Sequence, residues 1–122
     1  MNQLKKTLVI GASENKERYS NIAVNLLRQY QYPVVAIGNK VGKINDVEIV
    51  VGKPVLTDID TVTLYVSEKY QKEYYQYIIS LKPKRIIFNP GTENNELFEL
   101  AIDNNIKPVE ACTLVMLKTK QY

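Results

Sequence analysis

Three short segments carry residue types that could handle a phosphorylated ligand. The first is Gly11-Ala12-Ser13, which follows the apolar run Leu8-Val9-Ile10 and leads through Arg18-Tyr19 to Ser20-Asn21. Glycine permits a tight turn with close backbone approach, and Ser13 supplies a hydroxyl. A helix starting just beyond would present unpaired N–H groups to an anion. Lys16 and Arg18 add positive charge, although both have acidic neighbours and solvation alone accounts for them. A plain strand-to-helix turn, capped by Ser20 or Asn21, explains the same residues. Only the first glycine of a Gly-x-Gly-x-x-Gly pattern is present, and no Gly-Lys-Ser/Thr ending follows. The segment is therefore neither a dinucleotide fingerprint nor a P-loop. If Gly11 faces a phosphate, a bulky residue there abolishes binding at little cost to the fold.

The second segment is Gly38-Asn39-Lys40, after the run Val34-Val35-Ala36-Ile37. An NAD site would place a carboxylate here for the ribose hydroxyls. Lys40, helped by Lys43, suits a phosphorylated ribose instead, as in coenzyme A or NADP, and a surface lysine in a turn is the plain alternative. The third is Asn89-Pro90-Gly91, a turn that exposes backbone groups after the run Ile86-Ile87-Phe88. Between them, Val62 to Val66 ends at Ser67, a good helix cap, where Val66 could border an adenine.

These segments share one placement, at the ends of apolar runs rich in β-branched residues. Such runs suit strands covered on both faces, as in a parallel sheet. A fifth short candidate spans Pro108 to Ala111. Helical spacing connects the runs, with Ile22, Ala23, Leu26, Leu27 and Tyr30 on one helix, Tyr74, Ile78 and Leu81 on a second, and Leu97, Leu100 and Ala101 on a third. Asn104-Asn105 is expected to end the third helix, since Asn enters the left-handed region more cheaply than most residues. From Asn39 to Asp60 the pattern breaks at Gly42, Gly52 and Pro54, and this stretch reads as a loop with a small edge strand around Val47, Ile49 and Val51. The expectation is an α/β domain over residues 1–122: a doubly wound, mostly parallel five-stranded sheet with helices on both faces. Ligands of such sheets bind beyond the carboxyl ends of the strands.

Composition narrows the chemistry. The 122 residues carry 16 Lys and Arg against 13 Asp and Glu, a formal charge of +3 that is too weakly clustered to indicate nucleic acid. There is no histidine and a single cysteine, Cys112, so a Cys-His nucleophile is excluded and an internal disulfide is impossible. Cys112 lies among Leu114, Val115 and Met116 and reads as packing. The lone thiol fits a reducing cytoplasm. The first apolar run is too short for a secretory leader, and no run approaches the ~20 residues of a membrane span.

Taken together, Gly11-Ala12-Ser13, Arg18-x-Ser20-Asn21, Gly38-Asn39-Lys40, Asn89-Pro90-Gly91 and Glu110-Ala111-Cys112-Thr113 resemble the small bacterial CoA-binding domain proteins. These are similar to the CoA-binding domain of succinyl-CoA synthetase and ADP-forming acyl-CoA ligases. The resemblance covers Thr7 to Leu117 and implies a Rossmann-like fold that binds coenzyme A, or an acyl-CoA, without catalysis. It implies that Gly11, Ala12, Ser13, Arg18, Tyr19, Ser20 and Asn21 hold the pyrophosphate arm. Gly38, Asn39 and Lys40 would reach the ribose phosphate, Val66 the adenine, and Asn89, Pro90 and Gly91 the pantetheine exit. The chain departs from the family where Asn39 runs directly into Lys40 without an intervening proline, and where Asn89-Pro90-Gly91 replaces an apolar-Gln-x-Gly type. Gln31 and Asn105 stand where helix-ending glycines are common. Two other readings remain open: an NADP-type subunit of a multi-chain enzyme, and a regulatory protein with a vestigial nucleotide pocket. A homodimer or a partner enzyme is compatible with all of them.

Overall fold

The computed structural model describes residues 4–122. Residues 1–3, included in the domain on sequence grounds, lie outside the described residues. Seven strands form one sheet in the order β3-β4-β2-β1-β5-β6-β7. They are β1 (Thr7–Ala12), β2 (Val34–Gly38), β3 (Gly42–Ile44), β4 (Val47–Val50), β5 (Thr61–Leu64), β6 (Arg85–Phe88) and β7 (Lys107–Glu110). All neighbouring pairs are parallel except β3 with β4. The helices are α1 (Tyr19–Gln29), α2 (Glu68–Gln71), α3 (Tyr75–Leu81), α4 (Asn95–Asp103) and α5 (Thr113–Lys118), with a 3₁₀ turn between α2 and α3.

The mostly parallel α/β architecture agrees with the sequence reading, but the sheet has seven strands where five were expected. The two extra strands form the β3–β4 hairpin: β4 answers to the small edge strand expected around Val47, Ile49 and Val51, whereas β3, which takes the edge itself, lies in the stretch read as a loop. Its turn is Asn45-Asp46, with Asn45 in the left-handed region at φ 55°. The guanidinium of Arg28, near the end of α1, grips Asp46 through Nε at 3.0 Å and Nη2 at 2.8 Å. A three-residue strand carries too little alternation to be recognised on its own. Here a contact between residues 18 apart in sequence helps hold it.

Alternate residues of the strands feed two cores. Leu8, Ile10, Val62, Leu64, Ile86 and Phe88 pack with Ile78, Leu97 and Ala101 on the face of α3 and α4. Val9, Ala36 and Ile87 pack with Val24, Leu27 and Leu117 on the face of α1 and α5. Since both faces are buried, the strands read as continuous apolar runs. No helix links β4 to β5. That crossover is an extended segment whose Leu56 and Ile59 join the α3/α4 core. The left-handed ending expected at Asn104-Asn105 falls at Asn105, with φ 60°, and Gln31, at φ 69°, closes α1 in the same way without a glycine.

At the amino ends of the strands a polar group is buried under the chain's last residues. Tyr122 hydrogen-bonds Thr7, stacks edge-on against Tyr32 with centroids 4.9 Å apart, and lies under the Arg85 guanidinium at 4.4 Å. Tyr65, on the same face, is largely buried, and its hydroxyl has no partner in hydrogen-bonding geometry. Burial holds both phenols above the ordinary range, and the hydroxyls near them offset this only in part. Unfolded tyrosines release their protons near pH ~10. The folded state retains them longer, so above that pH the unfolded state binds fewer protons and stability must fall. Urea midpoints are expected to be level below pH ~10 and to drop progressively above it, with Tyr65→Phe flattening part of the decline. A midpoint that holds steady through pH ~11 would rule this out.

Candidate functional site

From β1 the chain moves to β2, on to β3 at one edge of the sheet, back through β4 between them, and then crosses to β5 on the other side of β1. The strand order therefore reverses between β1 and β5, and a crevice at the carboxyl ends of these two strands is the place where such sheets take ligands.

Gly11 lies in the seam itself. Its φ is +101°, and a Cβ built on it would stand 2.8 Å from the carbonyl carbon and oxygen of Tyr65 and 3.0 Å from a methyl of Val66. The register between β1 and β2 shifts at this residue, so Gly11 forms an irregularity that lets the β1 loop close onto the β5 loop. The expectation that a larger residue at Gly11 leaves the fold intact is corrected here: the close approach is to Tyr65 and Val66. Gly38 is similar, since its Cβ would collide with the Ala12 carbonyl.

Beyond Gly11 the loop is braced by its own polar side chains. The Ser13 hydroxyl accepts from the Asn15 amide at 3.1 Å, and the Asn15 side chain accepts from the Glu17 amide at 2.9 Å. Buried Asn21 donates to the Ser13 carbonyl at 2.8 Å. The Glu14 carboxylate accepts from the Lys43 amide at 2.9 Å, which ties the loop to the hairpin. Helix α1 then begins at Tyr19, with Arg18 in the capping position, so Ser20 and Asn21 lie inside the first turn and are not its cap. Arg18 supplies no side-chain cap, and the first turn holds no acidic residue. The contrast with α4 is informative. There Asn94 accepts from the amides of Glu96 and Leu97 at 3.0 and 3.2 Å, and Glu96 adds a carboxylate. The start of α4 is capped by a side chain, whereas that of α1, at the carboxyl end of the central strand, has no side-chain cap, and the Asn21 amide turns back to the Arg18 carbonyl at 3.0 Å.

A hollow of about 300 Å³ opens beside the ends of β2 and β4. Gly38, Asn39, Val51, Gly52, Lys53, Glu73 and Tyr74 line it. Lys40 is exposed and is not part of the lining. Val66 is half-buried against Gly11 at the seam. At the end of β6, Asn89 is 2% exposed, and its side chain is fully engaged inside the molecule. Its Nδ2 donates to the Thr63 hydroxyl at 2.7 Å and the Leu64 carbonyl at 2.8 Å, and its Oδ1 accepts from the Thr113 amide at 2.9 Å. Pro90 and Gly91 are exposed at the rim, Gly91 with φ +90° and open space around it.

Several residues along this rim carried no readable signal in the sequence. Gln71 is fully buried and bridges two rim loops, donating to the carbonyls of Val66 at 2.9 Å and Thr92 at 2.7 Å. Glu14 and Lys53 were likewise unmarked, because nothing in their local spacing indicates what they meet, and Tyr74, read as part of a helix face, lies in the 3₁₀ turn before α3 and lines the hollow. Asn94 could have been found, since an Asn directly before an apolar-periodic segment is a helix-start signal. Among the described residues no cluster of metal-ligating side chains occurs.

The sheet with its order reversing between β1 and β5 defines a doubly wound, Rossmann-like class of domain. Comparison with known families is more specific. A family model described as CoA binding domain matches residues 5–118, and the chain belongs to that family. A crystal structure of an uncharacterized protein superposes with a TM-score of 0.96 at 45% identity, covering 99% of this chain and 100% of that one. A hypothetical protein from Pyrococcus horikoshii OT3 matches at TM-score 0.86 and 24% identity over 96% of this chain and 84% of its own. The cell-free ID.343 protein from Thermus thermophilus matches at 0.85 and 17% over 98% and 92%. The latter two likenesses speak to the fold. No curated protein matches the sequence. No helix among the described residues is long and apolar enough to cross a membrane.

Proposed function

We propose that this chain binds coenzyme A, free or acylated, and does no covalent chemistry of its own. The observation that carries the reading is the start of α1 without a side-chain cap at the carboxyl end of the central strand, while a separate hollow at the ends of β2 and β4 holds a lysine and a tyrosine. Family membership supplies the ligand class. In this reading Ser13, Arg18, Tyr19, Ser20 and Asn21 surround the pyrophosphate, with Gly11 and Ala12 shaping the turn that delivers them. The hollow at Gly38 and Asn39 takes the adenosine end, with Lys40 nearby and Val66 on the inner side. Pro90 and Gly91 border the way out for the thiol arm, while Asn89 fixes their position from beneath. With histidine absent from the chain, no His-dependent acyl or phosphoryl relay can form on it. A cytoplasmic setting is part of the proposal and rests on the lone, half-buried Cys112.

The test is ligand-induced stabilisation. A ligand bound only by the native state, at a free concentration one hundred times its Kd, adds about 2.7 kcal/mol. For a domain of this size that raises the melting temperature by on the order of 10 °C. Coenzyme A is expected to produce a larger shift than NAD at equal concentration. NADP, which shares a phosphorylated ribose, is the control. A larger shift with NAD than with coenzyme A would overturn the proposal, and a shift with NADP alone would favour the NADP-type reading.

A further inference from the structure

The hollow beside β2 and β4 has a composition that its sequence neighbours do not suggest. Lys53 is the one cation among its lining residues, and it comes from the loop after β4, not from the β2 turn that holds Lys40. The Lys53 ammonium lies 5.6 Å from the centroid of the Tyr74 ring. The backbone beside it is held, because the Tyr77 hydroxyl donates to the Pro54 carbonyl at 2.6 Å. Gly52, at φ +102° with nothing within 4 Å of its Cβ position, turns the chain into this placement and leaves the space above open. Across the hollow, Gly38 has no side chain and Asn39 is neutral.

One flexible point charge, one half-buried aromatic ring and an unobstructed glycine backbone suit an aromatic base carrying a single phosphate monoester close by. Glu73 lines the same hollow. Its carboxylate disfavours a second phosphate there and can accept from an amine or a hydroxyl of the nucleoside. Both Glu73 and Lys53 are exposed, so solvent screens their mutual effect. Within the coenzyme A reading, on which the identity of the nucleoside rests, we propose that Lys53, and not Lys40, reads the 3′-phosphate on the adenosine ribose, with Tyr74 as the surface for the base. Lys53 is then the residue that separates coenzyme A from its dephosphorylated form.

Calorimetric titration of the full chain tests this with four probes: coenzyme A, dephospho-CoA, adenosine 3′,5′-bisphosphate and AMP. Lys53→Met is expected to weaken coenzyme A and the bisphosphate by about three- to tenfold, the range of an exposed charge-assisted contact. The same variant should leave dephospho-CoA and AMP within about twofold, and Lys40→Met should leave the preference for the 3′-phosphate as in the parent. Equal losses for the phosphorylated and dephosphorylated ligands in Lys53→Met, or no loss, overturn the assignment, as does loss of the preference in Lys40→Met. If coenzyme A binds but Lys53→Met keeps its preference, the function stands and the assignment falls. If Lys53→Met erases a preference for bisphosphate over AMP in a protein that ignores coenzyme A, the assignment stands and the coenzyme A reading falls. Failure of all four probes with the parent protein overturns both.

Discussion

Gly11→Val is expected to lower the free energy of unfolding by about 3–5 kcal/mol in the absence of any ligand. Two costs combine. A β-branched residue at φ +101° is in a backbone region it rarely adopts, and its Cβ would stand 2.8 Å from the Tyr65 carbonyl group. The backbone of Tyr65 cannot swing aside as a flexible side chain would, because its amide is bonded to the Ile10 carbonyl at 2.8 Å and holds β5 against β1. Domains of this kind are stable by only about 5–15 kcal/mol, so the variant should be seriously weakened or fail to accumulate. Gly11→Ala keeps both costs in milder form and should lose about 2 kcal/mol. Chemical unfolding of ligand-free protein decides the matter. A loss below about 1 kcal/mol for Gly11→Val would mean that the seam relaxes easily and that the glycine serves the ligand after all.

Asn89→Ala should cost about 3 kcal/mol. The side chain satisfies the Thr113 amide and the Leu64 carbonyl, and alanine leaves both buried without it. The Thr63 hydroxyl loses less, since it also pairs with the Thr113 hydroxyl at 2.8 Å. Each orphaned backbone group costs roughly 1–3 kcal/mol when water cannot replace the partner. Asn89→Asp should fare no better. A carboxylate can still accept from the Thr113 amide, but it cannot donate to the Leu64 carbonyl, and its charge would be buried. Urea unfolding of the two variants is the measurement. Values within about 1 kcal/mol of the parent for Asn89→Ala would show that this polar centre is not what holds α5 and the β6 turn to β5.

The two substitutions show how differently two rim residues can be used. Both were singled out by position, at the end of a strand where ligands bind. Position alone does not tell whether a side chain faces outward or inward. Asn89 turns in and serves as the joint between β5, β6 and α5, while Pro90 and Gly91 remain at the surface. Ser13 and Asn21 lie between these extremes, engaged in shaping a loop that still opens at the start of α1.

The amino-acid sequence by itself determined the layered α/β plan, because strands buried on both faces must be apolar throughout and helices covering them must be apolar every third or fourth residue. It also located the ends of β1, β2 and β6, through Gly11, Gly38 and Gly91, and the end of α4 at Asn104-Asn105. These are properties of a residue and its near neighbours, so they can be read locally. Strand β3 and its pairing with β4 could not be, since that pairing draws on Arg28 reaching Asp46 and Glu14 reaching the Lys43 amide. Nor could the replacement of Lys40 by Lys53 in the lining of the hollow, the bridge made by Gln71, or the contact of Gly11 with Tyr65. Each of these joins residues that are distant along the chain and become neighbours only when the strand order reverses at β1. Tertiary structure decided them because charge, close approach and hydrogen bonding depend on distances of a few ångströms in space, and sequence separation does not encode those distances.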